Sequence, residues 1–177
     1  MELKDYPWYA PVSNDDLEQG DILESCTVFM PPDELVRGES TIGAFEAEQR
    51  DLVVVTQSCD LVLGREKVSD VICCGIWETD QFETGHLATA KGLEEVRRGF
   101  LPSYHMLAAC TVSGFERTAR IIDFRQLYSL PLPLVRREAA QSGERLRLLP
   151  PYREHLAQAF ARYFMRIGLP LDIPPFR

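Results

Sequence analysis

The 177-residue chain has no apolar run approaching the ~18 residues that a membrane-spanning helix needs. Its opening Met-Glu-Leu-Lys-Asp is too polar for a secretory signal, so a cytoplasmic protein with no membrane partner is expected. Paired cysteine spacings are also missing. The five cysteines stand at 26, 59, 73, 74 and 110, an odd number without Cys-x-x-Cys, which suits reduced thiols rather than a disulfide framework. Close His-x-x-x-His spacing is absent as well, and no metal site is expected. There is no Gly-rich phosphate loop and no Gly-x-Ser-x-Gly elbow, so nucleotide-driven and α/β-hydrolase chemistry fall from the front rank and no cofactor is expected.

Lysine is nearly missing from the second half, where Lys91 is the only one. Residues 1 to 90 carry 5 Lys+Arg against 19 Asp+Glu, a balance of −14, whereas residues 91 to 177 carry 14 against 8, a balance of +6. Arginine's planar fork suits bidentate contacts with phosphate and carboxylate. Its partners here are either nucleic acid or acidic protein surface. The acidic surface can be this chain's own first half or that of a second subunit, which makes a homodimer one expectation. Arg97, Arg98, Arg162 and Arg166 are the candidate contact residues.

With 45% hydrophobic and 26% charged residues, the chain can bury one core. An arm is expected over 1 to 16, with Trp8 and Tyr9 docking it and Pro7 and Pro11 excluding a regular helix. A single barrel-like domain is expected over 17 to 177. Strands are expected at 21 to 29, 52 to 57, 69 to 77, 107 to 112 and 119 to 124. The near-continuous run Leu52 to Thr56 suits a strand buried on both faces, and on such a strand Cys73 and Cys74 face opposite ways. Ala88 to Arg98 has helical composition and stops at Gly99. A last helix over 152 to 167 follows from the recurrence of Tyr152, Leu156, Ala159, Phe160, Tyr163, Phe164 and Ile167, with Gln158, Arg162 and Arg166 on its other face. The fold class is mainly β, with this helix and one or two more in insertions.

"GDIL" at 20 to 23, "RDLVVVTQS" at 50 to 58, "VSDVICCGI" at 68 to 76 and the block from "ARIIDFRQLYSL" to "RLRLLPPYREHLAQAFARYF" resemble, in order, the PemK/MazF-type toxins. The resemblance implies an SH3-like barrel and metal-independent endoribonuclease activity. Arg50 then matches the family's catalytic arginine and Ser69 its hydroxyl residue. Asp51 stands where that family usually has proline, and about two dozen residues separate the first two strands. Arg50 is the only Lys or Arg between Arg37 and Arg65, so acids surround it, and its alternative role is a strand-edge cation pairing with Glu46, Glu48 or Asp51.

"VVVTQSCDL" at 53 to 61 ends a valine strand in five polar or reactive residues. Ser58 and Asp60 can cap the next turn, and Cys59 can be a structural thiol at the mouth of the core. A cysteine-dependent hydrolase would instead use Cys59 and Asp60 with His105 as base. The leading reading is a PemK/MazF-like barrel serving as a nucleic-acid- or protein-binding module. The toxin-type endoribonuclease and the cysteine hydrolase are its alternatives. Convergence of Arg50 with Ser69, or of Cys59 with His105, would favour an enzyme; scatter of all four would favour the binding module.

Overall fold

The computed structural model describes residues 6–13, 16–39 and 43–165. Seven strands run through the described residues: β1 (Tyr9–Val12), β2 (Ile22–Met30), β3 (Glu46–Val54), β4 (Asp70–Glu78), β5 (Tyr104–Leu107), β6 (Arg120–Pro131) and β7 (Arg145–Leu148). Four helices join them: α1 (Asp33–Val36), α2 (Ala90–Arg97), α3 (Leu132–Ser142) and α4 (Tyr152–Phe164). The chain is mainly β, with an antiparallel sheet in the order β2-β3-β4-β6-β5 and a separate ribbon of β1 and β7.

The central strands carry apolar side chains on both faces because both faces are covered. Val53, Cys74 and Ile122 point into one cluster with Leu146, Leu148 and Leu156; Leu52, Val54 and Cys73 point into another with Leu132, Val135 and Ala139. The period-2 alternation thus divides Cys73 from Cys74 as expected, and both thiols are buried. Burial raises the Cys74 thiol to about 12 and pushes Cys73 up as well. Helix α3 covers the second cluster, while α4 and the ribbon cover the first.

Two bulges bend the sheet. Between Leu23 and Cys26 the register slips, Ser25 takes a positive φ of 51°, and its N–H donates to Asp51 Oδ1 at 2.8 Å. A second shift between Cys74 and Gly75 leaves the stretch of β6 between Asp123 and Leu127 without a counterpart. A Cβ on Gly75 would stand 2.8 Å from Gln126 Oε1.

The ribbon meets both outer strands of the sheet. On one side Asp21, just ahead of β2, bridges to Arg147, and the Leu148 N–H donates to the Gly20 carbonyl at 3.0 Å. On the other, the Tyr9 hydroxyl donates to the Ala108 carbonyl, just beyond β5, at 2.7 Å. Backbone pairing is therefore not continuous between β1 and β5.

Several expectations need correction. Strand β3 begins at Glu46 and ends at Val54 rather than spanning 52 to 57. The strand expected at 107 to 112 lies earlier, at Tyr104–Leu107, directly after a turn at 102 and 103 closed by the Tyr104 N–H donating to the Leu101 carbonyl; only an isolated Cys110–Arg117 bridge is found beyond it among the described residues. The strand expected at 119 to 124 continues to Pro131 and leads into α3, one of three helices besides α4 rather than one or two. Pro131 and Pro133 resemble breakers, yet Pro133 falls in the first turn of α3, where its missing N–H costs no intrahelical bond. Helix α4 ends at Phe164, short of 167; Arg166 and Ile167 lie outside the described residues. Part of the expected N-terminal arm is strand β1, with Tyr9 buried and Trp8 stacked on Tyr152 at 3.6 Å between ring centroids.

Candidate functional site

The residues singled out for catalysis are dispersed. Arg50 on β3 pairs with Glu48 and lies 5.9 Å over the Trp77 ring, as in the strand-edge alternative. It borders a hollow of about 160 Å³ with Gln126 and Gln81. Ser69 stands at the other end of β4, where its hydroxyl donates to the Asp70 carboxylate at 2.6 Å. Eight positions of strand, roughly 25 Å at ~3.3 Å per residue, separate Ser69 from Trp77 and hence from Arg50.

The polar residues after the valine strand tie neighbours together. Thr56 Oγ1 accepts from the Ile72 N–H at 2.7 Å, and Ser58 Oγ accepts from the Gln19 N–H at 3.1 Å. Asp60 pairs with Lys67 at 3.3 Å. Neither Ser58 nor Asp60 caps the single turn Ser58–Asp60, a correction explained by these outside partners. Cys59 is exposed, not a thiol at the mouth of the core; its Sγ lies 3.6 Å from Asp60 Oδ1. His105 sits on β5, three strands across and opposite the other half of β6. Cys59 and His105 therefore occupy opposite corners of the sheet.

The arginines show a clearer order. Arg117 and Arg120 pair with Glu24, Arg136 with Glu66, Arg145 and Arg147 with Asp21, and Arg153 with Glu18. The basic half thus folds against the acidic half of the same chain. Among the described residues, Arg65, Arg98 and Arg162 make no ion pair.

Arg98 and Arg162 border the same cleft, of about 870 Å³, which lies over β5 between α2 and α4. Arg97 is there too, held by Glu94 through two bonds of 2.7 Å. Helix α2 stands where it does because Thr89 caps it, accepting from the Gly92 N–H at 3.0 Å. Gly92 lets the helix pass close to the preceding turn: a Cβ there would lie 2.0 Å from the His86 carbonyl oxygen. Leu156, Ala159, Phe160 and Tyr163 anchor α4 on the first cluster, which turns His155, Gln158 and Arg162 toward the cleft. The i, i+3, i+7 spacing of those three could have marked His155 as a partner of Arg162 in the sequence.

The cleft's interior is largely apolar, with Leu93, Val96, Met106 and Ala119 among its walls. His105 stacks on Phe124 at 6.3 Å, and its Nε2 is buried without a hydrogen-bond partner among the described residues. Burial, helped by the nearby His155, lowers its pKa to about 4, so the ring is neutral at pH 7. Beside it Tyr104 lies under the Arg125 guanidinium at 4.7 Å, with Arg125 held by Asp123. The site can therefore attract an anion at its rim, beside a largely apolar interior.

No protein-family model matches the chain, and the curated proteins compared with it include no significant match. Among the described residues no helix is long and apolar enough to cross a membrane, and no three His, Cys, Asp or Glu side chains gather as a metal site.

Proposed function

We propose that the protein is a nucleic-acid-binding module whose cleft between α2 and α4 holds a single-stranded segment, with Arg98 and Arg162 on its phosphates. The observation that carries this reading is selective pairing. Most arginines around the sheet are neutralised by carboxylates, whereas two of the three described arginines without an ion pair, Arg98 (4.8 Å over the Phe100 ring) and Arg162, border one concave surface. A cleft of about 870 Å³ is within the usual range of ligand sites. Local positive charge at a cleft can attract an anion although the whole chain carries −8.

The architecture around it we read as a partly closed, SH3-like barrel of the PemK/MazF kind. Support comes from the Asp21–Arg147 bridge on one side of the ribbon and the Tyr9–Ala108 hydrogen bond on the other. A toxin-type endoribonuclease built on Arg50 and Ser69 has no geometric support, since the pair stands at opposite ends of β4.

Anisotropy of a labelled ten-nucleotide RNA, titrated from 50 to 200 mM salt, tests the binding reading. Replacing Arg98 and Arg162 together by alanine should reduce the slope of log K against log salt by about 1.4, at ~0.7 per lost contact on a single strand. Arg65→Ala should leave the slope unchanged. No binding by the wild-type chain at 50 mM salt, or an unchanged slope in the double variant, would reject the reading.

A further inference from the structure

We propose that residues 166–177 of this same chain, which lie outside the described residues, occupy the cleft. Residues 169 to 173 add as an extended strand to the open edge of β5 and exclude RNA from Arg98 and Arg162. The exclusion rests on the cleft being the nucleic-acid site; the docking does not.

Strand β5 has a sheet neighbour, β6, on one side only. The Phe124 N–H donates to the Ser103 carbonyl at 2.9 Å, and from there the antiparallel ladder alternates, so His105 and Leu107 direct their backbone groups at β6. Tyr104 and Met106 direct theirs the other way. The Leu101 carbonyl accepts from the Tyr104 N–H at 3.0 Å, whereas the Met106 N–H and C=O have no partner among the described residues. Tyr104, His105 and Met106 all border the cleft, and Met106 keeps partial exposure there. An unpaired edge of this kind is a template for an extended segment.

The sequence that follows α4 suits that edge. In "LPLDIP" at 169 to 174, Leu169, Leu171 and Ile173 share one face of an extended strand, and Pro170, Asp172 and Pro174 share the other. With Leu171 and Ile173 pairing toward β5, the two prolines take positions directed away from it, where a missing N–H costs no ladder bond. The apolar face matches walls that include Leu93, Val96 and Met106, and Asp172, the only acid in 166–177, is the counter-charge for the rim arginines. The reach required is short. Arg162, in the last turn of α4, borders the cleft; Phe160 packs on Phe124 at 5.6 Å, and Phe124 on His105 of β5 at 6.3 Å. Residues 166 to 168 can span about 10 Å when extended.

The test follows exchange of the Met106 amide in the full chain by NMR at 50 mM salt. A strand docked about nine-tenths of the time slows that amide about tenfold, and Leu171→Ser with Ile173→Ser should release it without changing the charge. The amides of His105 and Leu107, bonded to β6, should keep their rates, which controls for damage to the fold. The same variant should bind a ten-nucleotide RNA about tenfold more tightly, because the cleft is no longer shared.

Fast Met106 exchange in the wild-type chain, or slow exchange that survives in the variant, would overturn the docking. Protection that grows with protein concentration would assign the strand to a second copy and overturn the intrachain form. Protection lost without a gain in RNA affinity would overturn the exclusion. If neither chain binds RNA while Met106 protection is lost in the variant, the nucleic-acid reading falls and the docking stands.

Discussion

Replacing Asp21 with alanine probes the joint between ribbon and sheet. The Asp21 carboxylate is fully buried, and it accepts from Arg145 Nε at 2.9 Å, Arg147 Nη2 at 3.0 Å and the Glu18 N–H at 3.0 Å. Breaking a buried ion pair by removing one partner costs about 3–5 kcal/mol, and losing the acceptor for Glu18 N–H adds about 1 kcal/mol. Part of that cost is offset. Both arginines keep a bond to the Asp16 carbonyl, at 2.7 and 2.6 Å, and Arg147 keeps Glu18. A net loss of about 3 kcal/mol is expected, or roughly 6–12 °C in Tm for a chain of this length. In urea the midpoint should fall by about 1.5 M at a slope of ~2 kcal/mol/M. Arg37→Ala is the control: both partners of its ion pairs are more than half exposed, and its loss should cost under ~0.5 kcal/mol. If Asp21→Ala loses less than ~1 kcal/mol, or no more than Arg37→Ala, the ribbon is not held as argued.

Stability should fall between pH 6.5 and 4 through His105. Its folded pKa of about 4 lies below the unfolded value of ~6.5, so the unfolded chain binds more protons in that window. The contribution is fully present above pH 6.5 and lost as pH falls, by about 3 kcal/mol; Tm measured against pH should flatten there in His105→Phe. Cys59 alone should react quickly with a thiol reagent in the native protein, since the other four cysteines are buried; more than one fast thiol in a timed titration would contradict the burial pattern. Gly92→Ala should destabilise by about 2–3 kcal/mol, because its Cβ would meet the His86 backbone oxygen rather than a movable side chain; a variant with wild-type urea midpoint would refute that account.

Where hydrophobic periodicity was strong, the elements could be read directly. The runs that became β2 and β4 and the stripes of α2 and α4 all lie near their expected places, because each has to put apolar atoms on a defined face. Alternation also separated Cys73 from Cys74. Helix α3 was hidden by prolines whose local effect depends on position within the helix, and β7 by arginines that look like surface residues. "RLRL" reads as exposed until Asp21, more than a hundred positions away, supplies the counter-charge that permits burial.

The candidate site follows the same division. Composition alone marked Arg97, Arg98 and Arg162 as available cations, since arginine type and helical spacing are local properties. Which of them remain unpaired depends on the carboxylates within reach of each, some near in sequence and some brought in by the fold. Arg97 is held locally by Glu94, three residues earlier on α2, whereas tertiary structure brings Arg98 and Arg162 to one cleft without a carboxylate and buries His105 Nε2 without a hydrogen-bond partner among the described residues. It also set Arg50 apart from Ser69 and Cys59 from His105, because strand register and sheet order fix distance between side chains and a linear motif does not.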